Sequence, residues 1–214
     1  MECNECVNSD DGRPRLLVAE DNPSNFKLVE VLLRRDYELV HAWDGRQAVD
    51  MFAEVHPDLV LMDICTAGGT SGLAATEKIK EAFPAIKVVV MTGFDEVTYM
   101  PRAKACGADA FVEKGQSMTF FIQVIRDVMD GKSYFPEQKT IPVQPGEAPL
   151  TERELETLRL ICEGVSRKEI AERMCISENT LYRHIQSVTK KMGFERTGEL
   201  VAHVILNGWI NPRY

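Results

Sequence analysis

The chain has 214 residues, with 25 lysines and arginines against 33 aspartates and glutamates, so its formal net charge is −8. Hydrophobic residues make up 44% and charged residues 27%, a balance that is typical of soluble globular chains and argues against a disordered or fibrous one. No apolar run approaches the roughly 20 residues needed to span a bilayer. The N-terminus is polar and lacks the apolar segment of a secretory signal, so we expect a cytoplasmic protein without membrane contact.

Charge is distributed unevenly along the chain. Residues 1–140 contain 15 basic and 23 acidic residues, whereas residues 141–214 contain 10 of each. The acidic excess therefore belongs wholly to the first part of the chain. This division predicts two bodies that have different partners.

The composition changes between Gly131 and Leu150, where four of the ten prolines lie. Proline fixes the backbone and removes a hydrogen-bond donor, so this stretch is typical of an extended, semi-stiff linker. We therefore predict a flexible N-terminal tail, a first domain, a linker and a second domain, at residues 1–14, 15–130, 131–149 and 150–214.

Short apolar and β-branched runs alternate with helical patterns in the first domain. Strands are predicted at Arg15–Glu20, Tyr37–Ala42, Asp58–Asp63, Ile86–Thr92 and Asp109–Glu113. Helices are predicted near 23–35, 44–54, 72–83, 95–106 and 116–130. Five strands that are each followed by a helix predict an α/β fold with a parallel sheet covered on both faces.

The second domain has helical periodicity throughout. Helices are predicted at Thr151–Cys162, Arg167–Met174, Glu178–Met192 and Thr197–Leu206. Thr151 and Glu154 form the Ser/Thr-x-x-Glu pattern of a capping box, which marks the start of the first of these helices. Short helices with short connections predict a smaller, compact all-α module.

Residues that suit phosphate chemistry lie at the ends of the predicted strands, namely Glu20, Asp21, Asp63, Thr92 and Lys114. Ligands of open α/β sheets gather at the carboxyl ends of the strands, so these side chains are expected to converge. Three converging carboxylates repel one another and need a cation, and their oxygens suit Mg²⁺. A hydroxyl and an ammonium group opposite them can hold phosphoryl oxygens. The pattern predicts phosphoryl transfer in which Asp63 is the nucleophile.

Residues 15–130 resemble the receiver domain of two-component response regulators, on these strand-end residues and on the motif Ala42-Trp43-Asp44-Gly45. The resemblance implies a flavodoxin-like five-stranded sheet. It also implies that a histidine kinase donates the phosphoryl group to Asp63. The implied metal ligands and switch residues are Glu20, Asp21, Asp63 and the backbone carbonyl of Cys65 for Mg²⁺, and Thr92, Lys114 and Phe111 for the response to phosphorylation.

The loop after Asp63 departs from the receiver pattern. The usual Met-Pro three and four residues later is replaced by Thr66 and Ala67, and the glycine that the family usually has eight residues after the phosphoacceptor comes one residue later, at Gly72. The glycines at 68–69 predict a loop that is more flexible than one containing proline. The altered loop leaves the rate of phosphorylation and the recognition of partners open.

The cysteines near the site and in the tail each allow two interpretations. Cys65 is either a redox sensor or a bystander, and the absence of an adjacent basic residue favours the bystander. Cys3 and Cys6 form a single CxxC, which holds either free thiols or half of a zinc site. Free thiols are favoured, because a zinc site needs two further ligands near by.

Residues 150–210 resemble the LuxR-type helix-turn-helix domain. The resemblance rests on short motifs spread over the domain, which are Leu150-Thr151-x-Arg153-Glu154, Gly164-Val165-Ser166, Lys168-Glu169-Ile170-Ala171, Ile176-Ser177, Thr180-Leu181-x-x-His184, Lys191-Met192-Gly193 and Asn207-Gly208-Trp209-Ile210. Together the two resemblances place the chain in the NarL/FixJ class of response regulators. The class implies binding to double-stranded promoter DNA and a homodimer formed through the last helix, here near Thr197–Leu206.

The third helix of this domain combines an apolar stripe with a basic face. Apolar residues at helical spacing, from Leu181 to Met192, share one side. Between Glu178 and Glu195 the chain has three basic residues and no acid. The residues predicted to contact DNA are Thr180, Tyr182, Arg183, His184, Gln186, Ser187, Lys190 and Lys191. A solvated helix surface is the alternative, and the surrounding motif favours DNA recognition.

We therefore expect a DNA-binding response regulator that is phosphorylated on Asp63 with Mg²⁺ and is not an enzyme. Two alternatives remain. One is a phosphorylation-independent DNA-binding protein whose receiver dimerises or binds a protein without accepting phosphate, which the lengthened loop at 64–72 would explain. The other is a phosphatase with an aspartyl-phosphate intermediate, against which the helix-turn-helix module argues.

Overall fold

The computed structural model describes residues 12–66, 71–94 and 96–212. Its contacts divide the chain into two compact units. The first consists of the residues up to Gly93 with Met100–Pro136, and the second of Phe94–Tyr99 with the residues from Glu137 onward. None of the helices in the described part of the chain is long and apolar enough to cross a bilayer. Cys3 and Cys6 lie outside the described residues.

The first unit is a five-stranded parallel sheet with intervening helices, as predicted. Its strands are β1 (Arg15–Ala19), β2 (Glu38–Ala42), β3 (Leu59–Asp63), β4 (Lys87–Thr92) and β5 (Ala110–Glu113). Its helices are α1 (Pro23–Leu33), α2 (Gly45–Val55), α3 (Gly72–Ala82), α4 (Tyr99–Ala105) and α5 (Met118–Met129). The strand order β2-β1-β3-β4-β5 confirms the flavodoxin-like fold.

The central strands are buried on both faces because helices cover both sides of the sheet. All five residues of β3 are buried, and in the register Leu17 of β1 faces Val60 of β3, which in turn faces Val88 of β4. This explains why these strands are continuous apolar runs without alternation. The buried sheet is the rigid base from which the strand ends project.

Side-chain caps start the helices close to the strand ends. The Asn22 side chain accepts hydrogen bonds from the amides of Ser24 and Asn25 at the start of α1, and the Asp44 side chain accepts one from the Gln47 amide at the start of α2. These caps satisfy amides that have no partner within the helix. They also fix the short loops in which the polar residues of the sheet edge lie.

Helix α4 begins at Tyr99, four residues later than the sequence predicts. The Glu96 side chain accepts a hydrogen bond from the Thr98 amide at 3.0 Å, and the Tyr99 amide bonds to the Glu96 carbonyl oxygen at 3.4 Å. This turn uses amides that a longer helix would need, so the helix starts after it.

The second unit contains four helices in its described part, all predicted within two residues. They are α6 (Glu152–Cys162), α7 (Arg167–Arg173), α8 (Glu178–Lys191) and α9 (Thr197–Leu206). One buried cluster joins α6, α8 and α9 through Leu158, Val188 and Val204, and a second joins α7 to α8 through Ile170 and Leu181. These contacts form an all-α core.

Residues 137–149 belong to the second unit, have no helix or strand and pack against its helices. Ile141 is buried in its core, and the Gln144 amide donates to the Lys191 carbonyl oxygen at 2.8 Å. Lys190 forms an ion pair with Glu147 at 3.2 Å. This proline-rich stretch is therefore attached to the C-terminal end of α8. The predicted domain boundaries themselves remain predictions.

Glu154 of α6 is the buried centre of a hydrogen-bond network. Its carboxylate accepts from Lys191 Nζ at 2.8 Å, from Ser187 Oγ at 2.5 Å and from the Thr151 amide at 2.8 Å, the last within the predicted capping box. Burial by itself raises the pKa of Glu154, but these hydrogen bonds outweigh it and lower the pKa from 4.5 to about 2. The network holds α6 to α8.

Replacing Glu154 by Gln removes this charge and should lower the free energy of unfolding of the second unit by about 1.5–3 kcal/mol at neutral pH. Because folding lowers the pKa of Glu154, its contribution is present above pH 4.5 and is lost as the pH falls towards 2. The gap in melting temperature between wild type and variant should therefore close on acidification, as read by Trp209 fluorescence in a Trp43→Phe background. Glu156→Gln, on the same helix but in an exposed pair, is the control. A gap independent of pH would contradict the prediction.

Candidate functional site

Three strand ends of the first unit bring an ammonium group between two buried carboxylates. Lys114 follows β5, Glu20 follows β1, and Asp63 is the last residue of β3. Lys114 Nζ lies 2.6 Å from Glu20 Oε2 and 2.7 Å from Asp63 Oδ2. Glu20 is 1% exposed and Asp63 4%. The predicted convergence of these residues is therefore present.

Asp21 completes a cluster of acids. Carboxylate oxygens of Glu20, Asp21 and Asp63 all lie within 4.8 Å of one another. Oxygen ligands grouped in this way suit Mg²⁺, which takes carboxylates and keeps other positions for water or phosphate. The donor set therefore fits this ion.

The charges in the site depend on one another. Burial raises the pKa of Asp63, and the neighbouring Glu20 adds to this effect, while Lys114 acts in the opposite direction. Burial by itself lowers the pKa of Lys114, but the Asp63 and Glu20 carboxylates outweigh it and raise that pKa. Positive charge at this position favours the ionised form of Asp63, which is the form that can attack phosphorus.

Asn25 contributes to the site, although it is not among the predicted site residues. Its Nδ2 donates to Glu20 Oε1 at 2.9 Å from the first turn of α1. The cap at Asn22 sets the start of α1 and so places this amide beside the carboxylate. The helix start just after the acidic pair was the available signal in the sequence.

The predicted switch residues lie on the same sheet. Thr92 ends β4 and is 1% exposed, and its carbonyl oxygen accepts from the Lys114 amide at 2.7 Å. Phe111 lies on β5 and is 3% exposed, so its ring is already buried in this conformation. Cys65 is 9% exposed, and its amide lies 3.4 Å from Asp63 Oδ1. Their assigned roles remain predictions.

The structure describes the two ends of the loop after Asp63, residues 64–66 and 71–72. Thr66 is buried, and its hydroxyl accepts from the Gly45 amide at 3.3 Å. Residues 67–70, with the predicted glycine flexibility, lie outside the described part. At Gly72 the chain returns so closely that an added Cβ would lie 2.0 Å from the Asp63 carbonyl oxygen. Gly72 therefore allows α3 to start against the phosphoacceptor candidate.

The predicted DNA-contacting residues of α8 fall into two groups. The exposed ones are Thr180, Tyr182, Arg183, Gln186 and Lys190, with His184 partly exposed. Ser187 and Lys191 are instead bonded to the buried Glu154. The apolar stripe from Leu181 to Met192 is buried, as predicted. Only part of the predicted set therefore forms an open polar face.

Further exposed cations lie on α7, outside the set of residues predicted to contact DNA. Arg167 and Lys168 are exposed in its first turn. They belong to the same unit as α8. The signal for them in the sequence was two adjacent basic residues at the start of the helix that precedes the predicted recognition helix.

Comparison with known proteins agrees with both units. The model of the response regulator receiver domain matches residues 16–126, and that of bacterial regulatory proteins of the luxR family matches residues 148–204. The oxygen regulatory protein NreC of Staphylococcus aureus (strain MRSA252) is 30% identical over 210 residues, which span 89% of this chain and 96% of that protein. The chain belongs to the two-component response regulators of the NarL/FixJ class.

Solved structures share the fold of this response regulator. RcsB of Salmonella typhimurium matches with a TM-score of 0.58 and 20% identity over 91% of this chain and 98% of that chain. An RcsB-DNA complex matches with a TM-score of 0.60 and 19% identity over 90% and 98% of the two chains.

Replacing Gly72 by Ala should displace the loop that follows Asp63 in this response regulator. The added Cβ meets backbone atoms that cannot rotate away, and such overpacking costs about 1–3 kcal/mol of unfolding free energy. Chemical denaturation measures the loss. Gly115→Ala is the matched control, because a Cβ there has no heavy atom within 4 Å. Equal stability of the two variants would contradict the prediction.

Proposed function

We propose that this DNA-binding response regulator accepts a phosphoryl group on Asp63 from a histidine kinase and thereby controls transcription. The observation that carries the proposal is the buried contact of Lys114 with Asp63 and Glu20, beside Asp21. A strand-end carboxylate with a cation in contact is what acceptance of a phosphoryl group requires.

In the proposed reaction an Asp63 carboxylate oxygen attacks the phosphorus of a phosphohistidine. The new bond joins this oxygen to phosphorus, and the phosphorus–nitrogen bond of the histidine breaks. Lys114 then exchanges its contact with Asp63 for the phosphoryl oxygens. Glu20, Asp21, Asp63 and the Cys65 carbonyl would hold Mg²⁺, which supplies positive charge against the developing negative charge.

The response to phosphorylation is a shift between two conformations. Thr92 and Lys114 bond to the phosphoryl oxygens only in the phosphorylated form, and Phe111 follows the rearrangement of Thr92. Contacts that exist in one state alone bias the equilibrium towards that state. The output is a change in dimerisation or in the availability of α8.

An apolar cavity beside the site supports the proposal that the phosphodonor is a protein. It has a volume of about 130 Å³, lies between α1 and α5, and reaches from Lys114 to Leu28 and Met118. These two apolar side chains are 46% exposed, and Val31 on α1 is 52% exposed. Exposed apolar surface next to a reactive group is typical of a contact site for another protein. We assign it to the kinase.

The exposed polar face of α8 is proposed to enter the major groove of promoter DNA. Arginine and glutamine can read base edges there, as Arg183 and Gln186 would, while Lys190 holds phosphates. Tyr182 is 50% exposed on this face, so it would add a hydrogen bond to a phosphate or a contact with a thymine methyl group. A cytoplasmic homodimer through α9 would bind two half-sites.

The altered loop at 64–72 favours a second candidate, a receiver that controls DNA binding without phosphorylation. It predicts that Asp63→Asn leaves DNA binding and its regulation unchanged. A phosphatase has no comparable support, since the second unit is a DNA-binding domain by family.

Asp63→Asn should abolish labelling by a small phosphoryl donor. In the presence of Mg²⁺ the wild type should gain the mass of one phosphoryl group, because Asp63 is the nucleophile, and its oligomeric state should change. Intact mass and light scattering measure the two effects. Asp58→Asn, the same substitution at the opposite end of the strand, should label normally. Absence of a wild-type adduct under conditions that label another receiver would refute phosphorylation and leave the second candidate.

Lys190→Ala should weaken binding to a random-sequence duplex. Because Lys190 is proposed to hold a phosphate, the slope of log K against log salt should become shallower by about 0.9 for the contact removed. Fluorescence anisotropy at several salt concentrations gives this slope. Arg46→Ala removes an exposed cation of the first unit, whose side chain is 80% exposed, and should not change it. An unchanged slope and affinity in Lys190→Ala would exclude this residue from the interface.

A further inference from the structure

His41 on β2 makes a hydrogen bond beyond the end of the β1–β2 ladder. The last ladder bond joins the Glu20 amide to the Ala42 carbonyl oxygen at 3.0 Å. One step further, His41 Nε2 lies 2.8 Å from the Glu20 carbonyl oxygen. A carbonyl oxygen can only accept, so Nε2 carries the proton and donates. Strand β2 therefore holds Glu20 at both its amide and its carbonyl.

The His41 ring is held in the orientation that this bond requires. It stacks on Phe26 of α1, with ring centroids 3.8 Å apart and an interplanar angle of 17°. The His41 ring also contacts the ring of Trp43, with ring centroids 4.5 Å apart and an interplanar angle of 58°. A half-buried ring between two aromatic side chains has little freedom to rotate. Its N–H direction is thus set by packing.

We infer that His41 is a positioning residue for the acidic pair Glu20 and Asp21. The carbonyl that it holds belongs to the peptide joining these two residues, so the plane of that peptide sets where the Asp21 side chain leaves the backbone. Asn25 separately holds the Glu20 carboxylate. The inference rests on the proposed Mg²⁺ site and adds the group that aligns its ligands.

Loss of such a supporting hydrogen bond lowers metal affinity although no metal-coordinating residue is changed. Partners outside the ligand set typically change affinity about 10–100-fold when removed. A histidine that only fills space between Phe26 and Trp43 would affect stability and leave metal affinity unchanged. The two roles can be separated because one depends on the N–H group and the other on the ring.

Mg²⁺ titration calorimetry of the full chain tests the inference, with thermal melting in the absence of Mg²⁺ as the measure of folding. His41→Phe keeps an aromatic ring and removes the donor, and should weaken Mg²⁺ binding about tenfold. His41→Gln keeps an N–H donor and should restore most of the affinity. His203→Phe is the matched control, because His203 also lies between a phenylalanine and a tryptophan, in the second unit.

Each outcome separates the inference from the proposed function. A wild type that binds no Mg²⁺ overturns both. A wild type that binds Mg²⁺, with His41→Phe equal to it, overturns the inference alone. Equal losses in His41→Phe and His41→Gln show that an N–H donor at this position does not sustain Mg²⁺ affinity, and they also overturn the inference. If melting shows His41→Phe to be unfolded, His41→Leu replaces it in the comparison with His41→Gln under the same criteria.

Discussion

The ammonium group of Lys114 between Glu20 and Asp63 is the contact on which the first unit's site depends. It ties the end of β5 to the ends of β1 and β3 over 2.6 and 2.7 Å. The Glu20 and Asp63 carboxylates are 1% and 4% exposed, so they have lost most of their hydration. Without a cation between them they would repel each other. These two ion pairs therefore stabilise the strand ends and also prepare Asp63 for reaction. Any group that takes Lys114 away from Asp63 must replace the positive charge of Lys114 or its hydrogen bonds.

The site also depends on how closely its loops approach the strand ends. Gly72 is accepted against the Asp63 carbonyl only because it lacks a Cβ, and its amide bonds back to the Ile64 carbonyl oxygen at 2.9 Å. On the other side, the cap at Asn22 starts α1 directly after the acidic pair. His41 reaches across from β2 to the same turn. Backbone positions, more than side-chain identity, bring these acids within range of one ion.

In the second unit the buried Glu154 carboxylate binds some of the polar side chains of α8 and leaves others exposed. Glu154 takes the ammonium of Lys191 and the hydroxyl of Ser187, and so turns that edge of α8 towards α6. Arg183 and Gln186 remain on the open side. The stabilising network and the exposed polar face are thus two sides of one helix, and the network helps to set the rotation of α8 about its axis.

The residues themselves determined the order of strands and helices, because buried parallel strands require continuous apolar runs and the caps are local. They also determined that acids and a lysine meet at one edge, since carboxyl ends of parallel strands coincide.

Local patterns did not place the start of α4, which depends on the Glu96 turn, or the role of Lys191. Periodicity puts Lys191 on the polar side of α8, and only the packing of Glu154 against it shows that it points inward. In the same way, His41 has no motif of its own. Its contact with the Glu20 carbonyl exists only once β1, β2 and α1 are packed together, because it joins residues 21 positions apart in sequence.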